Sequence, residues 1–383
     1  MIVSKIINNY YTILGFAFIS SLFISSCETG SKNNLTGKQQ AQAQWIQTAD
    51  SLFNAVDSLS GVLLIAENDS ILLLETKGFR DYVNKVPLEK SDIFELASVS
   101  KQFTAAAIML LEQQGKLDYN DLLQDYFPNL PYDGVTIKQM LHHTSGLPDY
   151  MKLFYDHWDK TKVAGNKEIL EYLERYSPPM LFEPGEKYEY SNTGYVLLAS
   201  ILEEVSGTDF IDFVDNELFE KAGLSQTAIR SKEEKLQMND MAWGYIFDAE
   251  KARYMPADSF PYTDYATFLG ERKGPGRVSS NASDLFKWDA FLRTGGLFAD
   301  STLQAAYSPA QLNNGESFPY GFGWDIVATE DGQKIIKHNG ENPGYRTIFI
   351  RLPAKKRVVV LLTNNQPPGF GKLTSELEKL IIK

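Results

Sequence analysis

The sequence predicts an α+β fold: a mainly antiparallel sheet flanked by terminal helices, with a second, helical lobe. Two observations carry that prediction. Strand-like apolar runs gather at the two ends of the chain, and helical periodicity dominates between them. Strands drawn from both ends into one sheet leave the middle to fold as a lobe of its own. A cleft between sheet and lobe is where a site is expected.

The elements follow in order. Residues 45–59 place Ile46, Leu52, Phe53, Val56 and Leu59 at roughly helical spacing. The run GVLLIAENDSILLLETKGF, 61–79, sets two apolar stretches around a polar turn at Asn68-Asp69, which reads as a hairpin. Helical patterns occupy 101–114, 137–142, 166–176, 194–205 and 210–222. The strand-like runs KIIKHNG, YRTIFIRLP and RVVVLLTN follow, separated by turns with Pro or Gly, and a last helix is expected over 373–382. The chain has 383 residues, 43% hydrophobic and 22% charged, so it can bury a large core. Its net charge of −12 and its lack of a long basic run argue against binding nucleic acid or an anionic lipid face.

The N-terminus reads separately. Lys5 precedes the apolar run YTILGFAFISSLFI, which ends in Ser25-Ser26-Cys27. This is the layout of a secretory signal and resembles a bacterial lipoprotein signal, with acylation at Cys27, the chain's only cysteine. An uncleaved anchor helix, or an ordinary signal with an incidental cysteine, are the other readings. The domain plan is therefore a signal over 1–26, a flexible polar tether over 27–44 and the folded domain over 45–383. The expected address is the bacterial cell envelope, outside the cytoplasm, with the membrane reached through lipidated Cys27.

Chemistry enters at LASVSKQFTAAAIMLLEQQG, 96–115, where Lys101 follows Ser98 by three residues. On a helix the two are neighbours. A lysine is a general base only if burial or nearby positive charge lowers its pKa. The apolar surround of this helix points to burial. On this stretch alone the bland reading stays open, because chance supplies on the order of one S-x-x-K in a chain this long. Ser98 or Ser100 could equally be an N-cap. Two further stretches offer partners. Tyr190-Ser191-Asn192 lies just before an apolar helix, where a phenol could shuttle a proton and an amide could hold a lysine. The alternatives there are a packed tyrosine and a helix-capping asparagine. His338-Asn339-Gly340 ends a strand-like run, and its glycine would let a substrate lie against the backbone.

Ser98-x-x-Lys101, Tyr190-x-Asn192 and His338-x-Gly340, in that order, resemble the serine β-lactamase and penicillin-binding-protein superfamily, in its class C-like branch. LHHTSGLPDY, PGEKYEYSNTGY, GPGRVSSNASDL and YGFGW resemble segments of the same branch, and the likeness runs from Trp45 to the C-terminus. It implies a β-lactamase/transpeptidase-like fold and an exported serine hydrolase that cleaves amide or ester bonds through an acyl-serine. Ser98 would be the nucleophile. Lys101 and Tyr190 would share the proton transfers, and Asn192 would orient Lys101 and the substrate. His338 would assist from the Tyr190 side. The backbone N–H groups of Ser98 and Glu341 would form the oxyanion hole, and Asn339 and Gly340 would bind substrate. The resemblance implies no cofactor and no metal.

His338 departs from the Lys-Thr/Ser-Gly that members acting on β-lactams or peptidoglycan commonly carry. Peptidase or esterase activity on a small-molecule or peptide substrate is therefore favoured. A DD-carboxypeptidase or β-lactamase, and a non-catalytic relative that binds peptides or cell-wall fragments, are the alternatives. His142 and His143 are adjacent, not at the i, i+4 spacing a zinc pair wants. Ser145 reads as part of a turn. Tyr320, Phe322 and Trp324 either line the cleft or pack.

Overall fold

The computed structural model describes residues 37–294 and 296–383. Residues Gln42–Lys383 form one compact unit. The predicted signal, Cys27 and the first part of the tether lie outside the described residues. Helix α1, Gly37–Asn54, begins eight residues ahead of the predicted start, so 37–44 of the expected tether is helical. The reason is local: QQAQAQ is made of Ala and Gln, good helix formers despite their lack of an apolar stripe.

Six antiparallel strands form the main sheet. They are β1 (Gly61–Glu67), β2 (Ser70–Lys77), β3 (Asp325–Ala328), β4 (Lys334–Asn342), β5 (Tyr345–Leu352) and β6 (Arg357–Thr363). Their order is β3-β4-β5-β6-β1-β2, so both ends of the chain build one sheet, as predicted. Asn68 and Asp69 both take positive φ, 51° and 63°, between the paired residues Glu67 and Ser70. A two-residue hairpin turn wants that geometry, and Asn and Asp tolerate it best after glycine. The near-continuous apolar runs of β1, β5 and β6 follow from burial on both faces.

One face packs on the terminal helices, through Trp45, Ala49 and Phe53 of α1 and through Phe370, Leu373, Leu377 and Ile381 near the C-terminus. The other carries Val62, Leu64, Phe349, Val360 and Leu362 into the core shared with the helical lobe. In that lobe, α2 (Lys101–Gln113) is buried over its first eleven residues, from Lys101 to Leu111. It packs on α4 (Asn192–Ser206), which in turn contacts α3 (Asn166–Tyr176). The pattern over 210–222 splits into the helix Phe210–Val214 and a wider-wound turn, Asp215–Phe219.

Helix α5 (Ala282–Thr294) is tied to the sheet by charge. Arg351 of β5, fully buried, donates from Nε to Asp289 Oδ1 at 2.7 Å and from Nη1 to the Tyr307 hydroxyl at 2.7 Å. Asp289 is itself 1% exposed and takes Arg293 Nε at 2.7 Å on its other oxygen. Removing one member of such a pair strands a buried charge. Asp289→Leu is expected to lower stability by about 3–5 kcal/mol in urea unfolding. A loss under 1 kcal/mol would mean that Arg351 finds another acceptor.

Candidate active site

Ser98 stands on the one-turn helix Ala97–Ser100, between the short strand Phe94–Glu95 and α2. Ala97 is left-handed, φ 50°, which is uncommon for a residue with a Cβ. Ala97, Val99 and Ser100 are buried, and Ser98 is partly exposed. Neither serine caps the helix. Ser100 makes no capping bond, and its Oγ accepts the Val278 N–H at 3.1 Å.

Lys101 is fully buried at the head of α2. Its Nζ lies 3.2 Å from Ser98 Oγ, 2.8 Å from Asn192 Oδ1 and 2.8 Å from the carbonyl oxygen of Pro275. It also stands 4.8 Å from the centre of the Tyr190 ring. Burial first, and the charge of Arg272 second, push the ammonium well below the ordinary lysine value. Ser191 is the N-cap of α4, accepting the Gly194 N–H at 3.2 Å, which leaves the Asn192 amide free for Lys101. The Pro275 carbonyl had no sign in the sequence, since a backbone oxygen belongs to no residue type.

Tyr190 meets the other two groups in an unexpected protonation state. Tyr190 is 39% exposed as a residue, yet the loss of water around its phenol raises the pKa, and the Ser98 hydroxyl pulls it only partway back. It is a neutral acid at rest. The loop that carries it is gripped by a residue the sequence reading set aside. His143, fully buried, accepts the Ser191 N–H on Nδ1 at 3.1 Å, and its carbonyl oxygen accepts the Glu189 N–H at 2.9 Å. Its ring lies 4.3 Å from the Tyr190 ring, centre to centre. Burial holds this imidazole far below its usual pKa, so it is neutral, with Nδ1 as acceptor.

The strand motif is arranged differently from expectation. His338 is buried, and its pKa is lowered to about 3, by burial first and then by Lys101. Its Nε2 is 2.9 Å from the hydroxyl of Tyr320, while the Tyr190 ring is 6.3 Å away, so its partner is Tyr320. Gly340 was expected to admit substrate to the strand. A Cβ there would meet the Leu96 carbonyl oxygen at 2.2 Å and Thr347 Oγ1 at 2.4 Å, so it admits the turn that carries Ser98. Asn339 pairs with Ile348, whose side chain packs toward the terminal helices, and alternation puts Asn339 on that face. It is exposed and does not line the cavity, so its side chain is no substrate ligand there.

The cavity at Ser98, about 90 Å³, is lined by Ser98, Asn192, Tyr150, Arg272 and Glu341 among others, and so holds both residues expected at the oxyanion site. Strand β3 pairs with β4 only as far as Lys337, which leaves the outer edge of 338–342 without a strand partner among the described residues. Ser145 is buried and does not line the cavity. Tyr320, Phe322 and Trp324 are buried, and Gly323 between them (φ 75°) lies against the backbone of Lys101 and Gln102. Packing is their role.

Residues 49–381 match the model of the β-lactamase family. The chain belongs to that family. It is accordingly a serine hydrolase of the β-lactamase-related kind. Penicillin-binding protein 4* of Bacillus subtilis (strain 168) is 37% identical over 346 residues, covering 90% of this chain and 75% of that protein. A crystal structure of a penicillin-binding protein from Bacillus halodurans superposes with a TM-score of 0.74 at 26% identity, over 87% of this chain and 98% of the other. The D-amino acid amidase of Ochrobactrum anthropi SV3 (TM-score 0.68, 22% identity, 89% and 99% covered) shares the fold.

His143→Leu should slow acylation of Ser98 by up to about 10²-fold, the scale of a 1 Å misplacement, with little change in KM. His143→Gln, whose amide oxygen can accept the Ser191 N–H, should recover part of the rate. Equal losses in both would assign the effect to the ring's bulk.

Proposed function

We propose that this β-lactamase-family hydrolase cleaves amide or ester bonds by transferring an acyl group to Ser98 and then to water. The observation that carries the reading is the buried amine of Lys101, 3.2 Å from Ser98 Oγ with two oxygens already at 2.8 Å. A neutral amine has two N–H bonds and one lone pair. The two N–H bonds go to Asn192 and Pro275, and the lone pair faces the serine hydroxyl.

Lys101 takes the Ser98 proton as Oγ attacks the carbonyl carbon. The backbone N–H groups of Ser98 and Glu341 receive the oxyanion. Tyr190, neutral and in contact with Ser98, gives a proton to the leaving nitrogen or oxygen and is restored from Lys101. Water then enters, and the same groups run in reverse to release the acid. His338 holds Tyr320 and stays uncharged across the working pH range. The cavity takes only a small group, so the rest of the substrate lies along the open edge of β4.

A cell-wall peptide or a β-lactam as substrate is the second reading, favoured by the 37% identity to a penicillin-binding protein. Against it stands the absence of a cation at position 338. Export and lipid attachment at Cys27 complete the proposal and rest on the sequence of the first 27 residues. Cys27→Ala should release the protein from the membrane fraction, and unchanged sedimentation with membranes would remove the acyl anchor.

A fluorophosphonate probe tests the chemistry. Wild type should be labelled, Ser98→Ala should not, and Lys101→Met should react roughly 10²–10⁴-fold more slowly. The sign of the pH dependence follows from the lowered pKa of Lys101. Below that pKa the amine is protonated and the rate falls; above it the rate is level, well short of the ordinary lysine value of 10.5. A rate that climbs steadily toward pH 10 would show a charged Lys101 at rest.

A further inference from the structure

We propose that Arg272 forms a receiving site for a carboxylate of the substrate in the lining of the Ser98 cavity. This deepens the proposed hydrolase reading and rests on it. The charged residues lining the cavity are Arg272, Arg277 and Glu341. Glu341 is engaged by Arg346 at 2.8 Å. Among the described residues neither Arg272 nor Arg277 has a carboxylate within 4.0 Å, while Arg80, Lys235, Lys287, Arg293 and Arg351 each pair with a buried acid elsewhere in the fold. The acids acting on Arg277 from farther off are Glu95, Glu271 and Glu234. Two of them are taken, Glu95 by Lys235 and Glu234 by the Ser231 N–H at 2.7 Å. In a chain of net charge −12, a cavity whose unpaired charge is positive is selective placement.

The wall that holds this charge is built to stay put. Asn166 Oδ1 accepts the Lys273 N–H at 2.7 Å, and its Nδ2 donates to the Lys273 carbonyl at 3.2 Å. Lys273 Nζ donates to Glu203 at 2.7 Å and also reaches Asp209. The Gly274 carbonyl accepts from Thr104 Oγ1 at 2.7 Å, and the Pro275 carbonyl accepts from Lys101. Arg272 Nη1 donates to the Leu269 carbonyl at 2.8 Å, and Arg277 Nη1 donates to the Arg272 carbonyl at 3.4 Å. One guanidinium nitrogen is thus anchored on protein. No side-chain bond ties the Arg272 Nε and Nη2 among the described residues. That remaining fork matches a carboxylate's two oxygens. The guanidinium also lies 6.0 Å from the ring centre of Tyr265, another lining residue. Its charge reaches the neighbours of Ser98: it lowers the pKa of Lys101 and counters the upward push of burial on Tyr150 and Tyr265. The cation that a lysine at position 338 would supply from the strand is supplied here from the loop that carries Pro275.

Two matched ester pairs test this. In one, the carboxylate is on the acyl side: the p-nitrophenyl half-ester of glutarate against p-nitrophenyl butyrate. In the other it is on the leaving group: 3-acetoxybenzoate against its methyl ester. Wild type should prefer the anionic member of at least one pair by tenfold or more in kcat/KM. Arg272→Gln should bring that ratio near 1, chiefly through KM, and Arg272→Lys should keep part of it. A change in the Lys101 base caused by losing the Arg272 charge is read from kcat on the neutral esters, and the anion preference is read in KM. No preference in wild type, or a preference that survives in Arg272→Gln, overturns the proposal. Turnover of the neutral esters without anion preference defeats this inference alone. A wild type that neither turns over any ester nor takes the fluorophosphonate on Ser98 defeats the hydrolase reading and this one with it.

Discussion

A lysine amine buried inside protein, held well below its ordinary pKa, is the constraint around which the helical lobe is arranged. Lys101 is fully buried, and the oxygens around it come from three separate places: its own turn, the first residue of α4, and the loop at Pro275. Each must be held for the amine to be satisfied. The packing of α2 on α4 sets the Asn192 distance, and the Thr104 and Asn166 bonds set the loop. The arrangement costs stability. An unfolded lysine is protonated at neutral pH and the folded one is held below its ordinary pKa, so the unfolded chain binds more protons. The penalty is full below the folded pKa and fades as pH rises toward 10.5. A fold that keeps such a group holds free energy in reserve for the chemistry at Ser98.

The second constraint is close approach. The turn that presents Ser98 is pressed on β4, where Gly340 makes room and the Thr347 hydroxyl donates to the Leu96 carbonyl at 2.8 Å. With β3 stopping at Lys337, the strand keeps an open edge beside the nucleophile. Sheet and lobe therefore meet at the one place where a bound chain could hydrogen-bond to a strand while its carbonyl lies over Ser98. The buried Arg351–Asp289 pair fastens the sheet to α5 on the same core face and keeps the two halves in register.

Much of this was legible in the sequence, for identifiable reasons. Helix Asn166–Tyr176 and the Asn68-Asp69 hairpin follow from periodicity and from turn chemistry, both local properties. Ser98 and Lys101 were readable because i, i+3 spacing on an apolar helix is a geometric statement. The start of α1 was missed because it has propensity without amphipathic pattern. The substrate-binding expectation for Asn339 and Gly340 failed for a different reason. Period-2 alternation separates them, but which face looks at the site depends on what packs there. His143 looked like half of a failed metal pair, and its hold on the Tyr190 loop is made through a ring nitrogen and a carbonyl 48 residues away in sequence from Ser191. Pairings of that kind appear only when the chain is folded.

The position of positive charge separates the reaction from its substrate. The proposed acyl transfer uses Ser98, the Lys101 amine, a proton donor and an oxyanion site. None of these depends on a cation at position 338. His338, neutral with a pKa near 3, contributes shape and a hydrogen bond to Tyr320 and nothing to the field that an anionic ligand would feel. Charge on Arg272 does two things at once. It lowers the pKa of Lys101, and on the proposed reading it receives a carboxylate. The second partly cancels the first, because an anion bound at Arg272 screens Lys101 from the guanidinium and lets its pKa rise. A carboxylated substrate thus gains affinity while slightly raising the basicity of the amine that must take the serine proton. Binding and proton transfer are coupled through one side chain on a fixed loop.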